Sequence, residues 1–291
     1  MIVCSLPLTE PIFSMFWAKV KRLKISRAPR LSTTQGFTLI ELISVLVILG
    51  IIATIGTRFV VTTIDSYAAT EKRAKLTARG RVVVEQITRQ LRLAVPYSLR
   101  LSSSGNCLEF MPGVAGGAYL GRVPDETLPG SAAVSSLSTA PFSLGLGAPT
   151  FLIIGAMSNT DIYTPAGNAL VDVDSITNGA TNTINFSAPH RFERNSINQR
   201  FFIGDSPKRL CLSGSQILEY GDYGLLSAAV DDADPGGSSL VMAENVTTNS
   251  RFFSISPGSE DRNVAVSLDV TLTERGERVT MNNTVLLHNV P

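Results

Sequence analysis

The residues able to do chemistry are few and scattered. Two histidines (His190, His288) and three cysteines (Cys4, Cys107, Cys211) show none of the close pairing that a tetrahedral zinc site needs, so no metal is expected. The run Asp231-Asp232-Ala233-Asp234-Pro235-Gly236-Gly237 offers hard oxygen ligands for calcium. It lacks the ligand spacing and closing glutamate of an EF-hand loop and reads as a solvated turn. Asp172 and Asp174, on either side of Val173, read the same way. No Gly-x-Ser-x-Gly elbow, phosphate-cradling glycine loop or Cys-x-x-Cys pair is present, so no catalytic residue and no cofactor is nominated. One short string stands apart. In Gly36-Phe37-Thr38-Leu39-Ile40-Glu41 a small residue closes a basic segment, and a carboxylate is set into the start of an apolar run, where burying it demands a specific partner.

That string opens the longest apolar stretch in the chain. From Phe37 to Thr57 the sequence FTLIELISVLVILGIIATIGT has no proline and one charge, Glu41. As a helix rising ~1.5 Å per residue it covers the roughly 30 Å of bilayer hydrocarbon, so a transmembrane helix is expected over residues 37–57. The alternative, a buried helix of a soluble protein, fits poorly with so long an uninterrupted apolar run. The segment before it carries six basic residues (Lys19, Lys21, Arg22, Lys24, Arg27, Arg30) and one acidic residue, Glu10. This asymmetry places residues 1–36 in the cytoplasm and everything after Arg58 across the inner membrane. A secretory signal would put its small-residue cleavage site after the apolar run, whereas Gly36 stands before it.

With 25 basic and 24 acidic residues the chain has net charge +1, and removing residues 1–36 leaves a body of net −4. Nucleic-acid binding needs clustered positive charge, so none is expected. A hydrophobic content of 44% with 17% charged residues describes a chain that buries a core.

Beyond the span, residues 58–96 continue as an amphipathic helix. Leu76, Gly80, Val83, Ile87, Leu91 and Val95 recur every three or four residues and predict a stripe facing a globular body, with Pro96 ending the helix. The charges around that stripe (Glu71, Lys72, Arg73, Lys75, Arg79, Arg81, Glu85, Arg89, Arg92) are either solvated or paired between subunits. Residues 97–291 read as a β-rich domain. The Gly/Ser/Pro-rich stretch from Leu101 to Thr150 predicts loop with short strands. Strands follow at Phe151–Ile154, Thr181–Phe186, Gln199–Ile203, Arg209–Leu212 and Arg251–Ile255. Alternation of Val264, Val266, Leu268, Val270 and Leu272, then a turn at Glu274–Glu277, predicts a hairpin with one buried face. The fold class is α+β, a long N-terminal helix on an antiparallel β body.

Gly36-Phe37-Thr38-Leu39-Ile40-Glu41 resembles the processing site of type IV prepilins and of type II secretion pseudopilins. The Arg-rich helix after the span, the segment Asn106-Cys107-Leu108-Glu109-Phe110 and the segment from Arg200-Phe201-Phe202-Ile203 to Cys211 resemble MshO-type minor pilins of mannose-sensitive haemagglutinin pili. The resemblance implies a leader at residues 1–36, cleaved between Gly36 and Phe37 by a membrane-embedded aspartyl peptidase that also methylates the new amine of Phe37. It implies that Glu41 pairs with the N-terminal ammonium of a neighbouring subunit. The residues alone leave open a glutamate that reaches interfacial water or stays protonated. Implied partners are the prepilin peptidase/methylase, other major and minor pilins and the inner-membrane assembly platform, with the protein moving from membrane to pilus and cell surface and catalysing nothing itself. A pseudopilin and a pilus-tip adhesin are the alternatives. The leader is long for this family, and a start at Met15 would give 22 residues to Gly36. At the position where major pilins commonly carry proline, this chain has Arg58.

Loss of the leader removes Cys4 and leaves Cys107 and Cys211 in an oxidising compartment, where a disulfide is the economical expectation and two buried free thiols the alternative.

Overall fold

A computed structural model describes residues 36–127, 130–164, 168–256 and 263–288. The leader, Gly36 apart, lies outside the described residues, with Cys4 and Met15. The chain divides into two compact units, Met1–Val60 and Val61–Pro291. Helix α1 (Leu39–Arg92) contributes to both.

In the first unit α1 is apolar on every side and every described residue is exposed. Its few hydroxyls are satisfied within the helix: Ser44, Thr54 and Thr57 donate to the carbonyls of Glu41, Ile51 and Ala53 at 2.9, 2.8 and 2.8 Å. A helix with its backbone and hydroxyls internally bonded is the form a segment must take where no water reaches.

In the second unit Leu76, Gly80, Val83, Ile87 and Leu91 are buried, as their spacing requires. α1 ends at Arg92, short of Val95. The residue before a proline is disfavoured in the helical region, and the backbone here takes other partners. The Leu93 carbonyl accepts from Gly113 N at 2.7 Å, and Val95 N donates to the Met111 carbonyl at 2.8 Å.

The stripe packs on two sheets. One comprises β1 (Arg100–Leu101), β2 (Cys107–Phe110), β9 (Lys208–Ser213), β10 (Gln216–Gly221) and β11 (Ser238–Glu244), hydrogen-bonded in the order β1-β2-β9-β10-β11. In the other, β12 (Val246–Thr247) and β13 (Phe253–Ser256) pair with β14 (Asn263–Glu274), which also pairs with β15 (Glu277–His288). Their buried faces, including Leu108, Phe110, Ile217, Phe253, Val266 and Val270, form one core with α1. Val266, Leu268, Val270 and Leu272 are buried together, the face that the alternation marks out. The β14–β15 turn puts Arg275 at φ 47° and Gly276 at φ 87°. Two consecutive positive φ values define the turn whose twist matches that of the paired strands. Gly80 sets how closely the helix approaches this hairpin, because a Cβ there would lie 2.7 Å from the Met281 sulfur. Arg73 pairs with Glu277, and Arg79 with Glu274 at 3.1 Å. Part of the charged helix face is thus bound within the chain, an arrangement distinct from both solvation and pairing between subunits.

The remaining strands, β3 (Gly113–Ala118), β4 (Val134–Thr139), β5 (Phe151–Ile153), β6 (Leu170–Thr177), β7 (Asn182–His190) and β8 (Arg200–Gly204), follow the order β3-β8-β5-β6-β7-β4. The two ends of this sheet meet. Tyr119 bridges Thr139, Leu120 N donates to Ser138 O at 2.8 Å, and Ala140 N donates to Ala118 O at 3.0 Å. Closure gives a six-stranded barrel filled by its own core, with Leu152, Ile184, Phe192, Phe201 and Ile203 at 0–1% exposure. The stretch expected as loop with short strands supplies β2, β3 and β4. Helix α2 (Asn159–Tyr163), with Ser158 as its N-cap, joins the barrel to the helix end in a third cluster of Val95, Met111, Phe151, Ile162 and Tyr163.

Candidate functional site

Gly36 and Phe37 precede the first turn of α1, and Phe37 is 79% exposed. A Cβ on Gly36 would meet no described atom within 4 Å, and the residue is outside the left-handed region. Nothing in the chain's own described structure requires glycine there. Thr38 caps the helix: its side-chain oxygen accepts from Glu41 N at 3.3 Å, and its carbonyl accepts from Leu42 N at 3.2 Å. Glu41 is therefore the third residue of the helix, in a Thr-x-x-Glu arrangement that opens helices with a carboxylate at the positive end of the dipole. Its side chain is exposed. The sequence string contains this signature, Thr38 and Glu41 three apart before an apolar run, yet its role in starting the helix is apparent only with the cap geometry in view. A free amine on Phe37 would stand four residues from the Glu41 carboxylate, at the mouth of the same helix.

Cys107 and Cys211 lie opposite one another in the β2–β9 ladder and are joined by a disulfide. Cys107 directs its own N–H and carbonyl away from β9, towards Ser102. The pair thus occupies a non-hydrogen-bonded register site, where side chains come closest.

Next to it is a buried charge cluster that residue spacing does not single out. Arg100, Glu109 and Arg209 stand in line across β1, β2 and β9. Glu109 is wholly buried and takes Arg100 on one carboxylate oxygen and Arg209 on the other, the latter at 3.0 and 3.2 Å. The arginines also donate to the carbonyls of Leu226, Ala228 and Ala233 at 2.9, 3.0 and 3.4 Å, and Arg209 reaches Asp231 at 3.2 Å. The guanidinium of Arg100 lies 3.7 Å above the ring of Tyr163, whose phenol burial pushes up. The acidic run is part of this assembly. Asp231 pairs with Arg209, Asp232 accepts from Ser104 and Asn106 at 2.7 and 3.3 Å, and Asp234 accepts from Gly236 N at 2.8 Å. Its carboxylates are engaged by protein donors, and among the described residues no group of histidine, cysteine and acidic side chains is arranged to hold a metal. Asp172 and Asp174 are exposed on β6.

Asp125, beside the barrel, is held down to about 2, first by the Thr127 hydroxyl, which donates to it at 2.5 Å. Desolvation opposes this, and the Asn195 amide and the Arg122 guanidinium lower it further. All of these groups are mutually satisfied, which suits structure rather than proton transfer.

Residues 31–57 match the family model described as the prokaryotic N-terminal methylation motif. No curated protein and no solved structure matched the chain. The match supports a type IV pilin-like or pseudopilin subunit carried by an apolar, membrane-anchoring N-terminal helix and acting as a structural component.

Proposed function

We propose that this chain is a minor pilin of a type IV pilus of the mannose-sensitive haemagglutinin kind, processed, methylated and then assembled. The observation that carries the reading is an exposed Gly36–Phe37 junction immediately before a capped, all-round apolar helix. The prepilin peptidase hydrolyses that amide with one water, leaving a carboxylate on Gly36 and an ammonium on Phe37; the ammonium then gives up a proton, and the neutral amine takes a methyl group from a sulfonium donor, which leaves as its thioether. Six basic residues leave with the leader, removing the charges that hold the N-terminus on the cytoplasmic side. The new cation gives Glu41 of an adjoining subunit its partner. In a low-dielectric setting that pair is strongly attractive and fixes one subunit's height against the next. The assembly platform and the other pilins are the partners, and the disulfide-bonded body ends on the pilus at the cell surface.

Deleting the gene separates this reading from a type II secretion pseudopilin. Loss of surface pili with normal protein export supports the pilin, and blocked export with intact pili supports the pseudopilin. The six-stranded barrel, with a core separate from the one that holds α1, favours a further role as a tip adhesin. Glycan-array binding by the full chain tests that role.

A further inference from the structure

Where α1 gives way to the sheets, the described residues line an open groove of about 750 Å³. Its floor is the connection after the helix. One wall is β3 and the other is the end of β15, from Thr284 to Leu287. Leu93 and Leu286 are left 60% and 63% exposed along it. The size and apolar lining fall in the range of sites that hold a ligand.

Two features specify the kind of ligand. β15 is an edge strand, paired with β14 in an unbroken register and with no other strand among the described residues. Exposed edges are usually blunted by proline, lysine or a bulge, and Thr284-Val285-Leu286-Leu287 has none of these. Backbone donors and acceptors along such an edge are satisfied by another extended backbone, whereas an acyl chain would leave them unpaired. The second feature is Arg92, exposed at the groove in the last turn of α1, without an ion pair or side-chain hydrogen bond among the described residues. It is the only charged residue of the lining.

We infer that this groove docks an extended segment of a second protein, added as a strand along Thr284–Leu287, its alternate apolar side chains set against Leu93 and Leu286 and one carboxylate set against Arg92. The partner is thus specified as an extended, apolar and acidic polypeptide.

The test titrates the full-length chain in lipid nanodiscs with a fluorescent pentapeptide of alternating valine and threonine carrying one glutamate. A lysine version, a version methylated on alternate backbone nitrogens, and oleate as an apolar competitor are run beside it. The expected result is saturable binding of the glutamate peptide. Lysine should weaken it about three- to five-fold, the scale of an exposed ion pair. Backbone methylation should abolish binding. Arg92→Glu, a surface change, should invert the preference between the two peptides. Equal binding of the methylated peptide would overturn strand addition, and an unchanged preference in Arg92→Glu would overturn the carboxylate assignment. Saturable binding of oleate with none of the peptides would show a site for apolar small molecules instead, and no saturable binding of any probe would overturn the docking site altogether. The parent titrations decide the matter even if the variant folds poorly.

Discussion

Replacing Glu109 by glutamine alters one atom in size-neutral fashion and should destabilise the body severely. In the parent, the two carboxylate oxygens accept from Nε and Nη2 of both Arg100 and Arg209. Glutamine keeps one acceptor and turns the other into a donor, so one guanidinium faces N–H groups at closest approach. The negative charge is lost as well. Two arginines, 9% and 2% exposed, are then left with carbonyls and with Asp231, which is itself mostly in solvent. Removing one member of a buried ion pair costs about 3–5 kcal/mol, and the remaining carbonyl bonds place this case near the middle, about 4 kcal/mol. That is a large share of the 5–15 kcal/mol typical of a folded domain. Urea unfolding of the full chain, followed by far-ultraviolet circular dichroism with the disulfide kept oxidised, measures it. A triple change, Arg100→Met with Glu109→Leu and Arg209→Met, removes every buried charge of the cluster and should recover most of the loss. A glutamine variant within about 1 kcal/mol of the parent, or a triple variant worse than the single one, would show that the Glu109 charge does not hold the two arginines in place.

Glu41→Ala and Glu41→Gln should both insert and be processed normally yet fall at least about ten-fold in sheared pili, since a desolvated charge loses its partner. Glutamine retains the helix-opening arrangement with Thr38, so its failure isolates charge from capping. Cys107→Ser or Cys211→Ser should lower the stability of the body by about 2–5 kcal/mol, read as the unfolding midpoint, without altering membrane insertion. For Asp125 the folded value of about 2 lies below the roughly 3.9 of an unfolded aspartate, so its contribution is complete above pH 4 and is lost as pH falls towards 2. Asp125→Asn should be less stable than the parent at pH 7 and should flatten the loss of stability between pH 4 and 2. An unchanged slope there would show that other carboxylates govern acid unfolding.

What the sequence discloses depends on whether the signal is local. The Leu76–Leu91 stripe and the Val264–Leu272 alternation each repeat with the period of their own element, so the faces that meet in the core are marked before any contact is known. The barrel is marked only in part: β5, β7 and β8 fall where strands are expected at Phe151–Ile154, Thr181–Phe186 and Gln199–Ile203, and the rest carry no such mark. β3 is Gly-Val-Ala-Gly-Gly-Ala, with neither alternation nor β-branched runs to announce a strand, and it is held by pairing with β8 some ninety residues later. Glu109 illustrates the same limit. A glutamate in Cys-Leu-Glu-Phe looks like the solvent face of a strand, and only the register that sets Arg100 and Arg209 beside it makes burial tolerable. At the N-terminus the reverse holds. Gly36, Phe37 and Glu41 are adjacent in sequence and their chemistry is local, so the candidate site is more legible than the body it serves.

Processing between Gly36 and Phe37 is read from the mass of the mature N-terminus. Protein from wild-type cells and from cells lacking the prepilin peptidase is purified from membranes and sheared filaments, and its N-terminal peptide is sequenced by mass spectrometry. The wild-type chain should begin at Phe37 with one methyl group on its amine, and the peptidase-deficient cells should hold only the precursor, with Gly36 and the leader attached. A chain that keeps its leader in wild-type cells, or that is cut after the apolar segment beyond Thr57, would contradict the assignment.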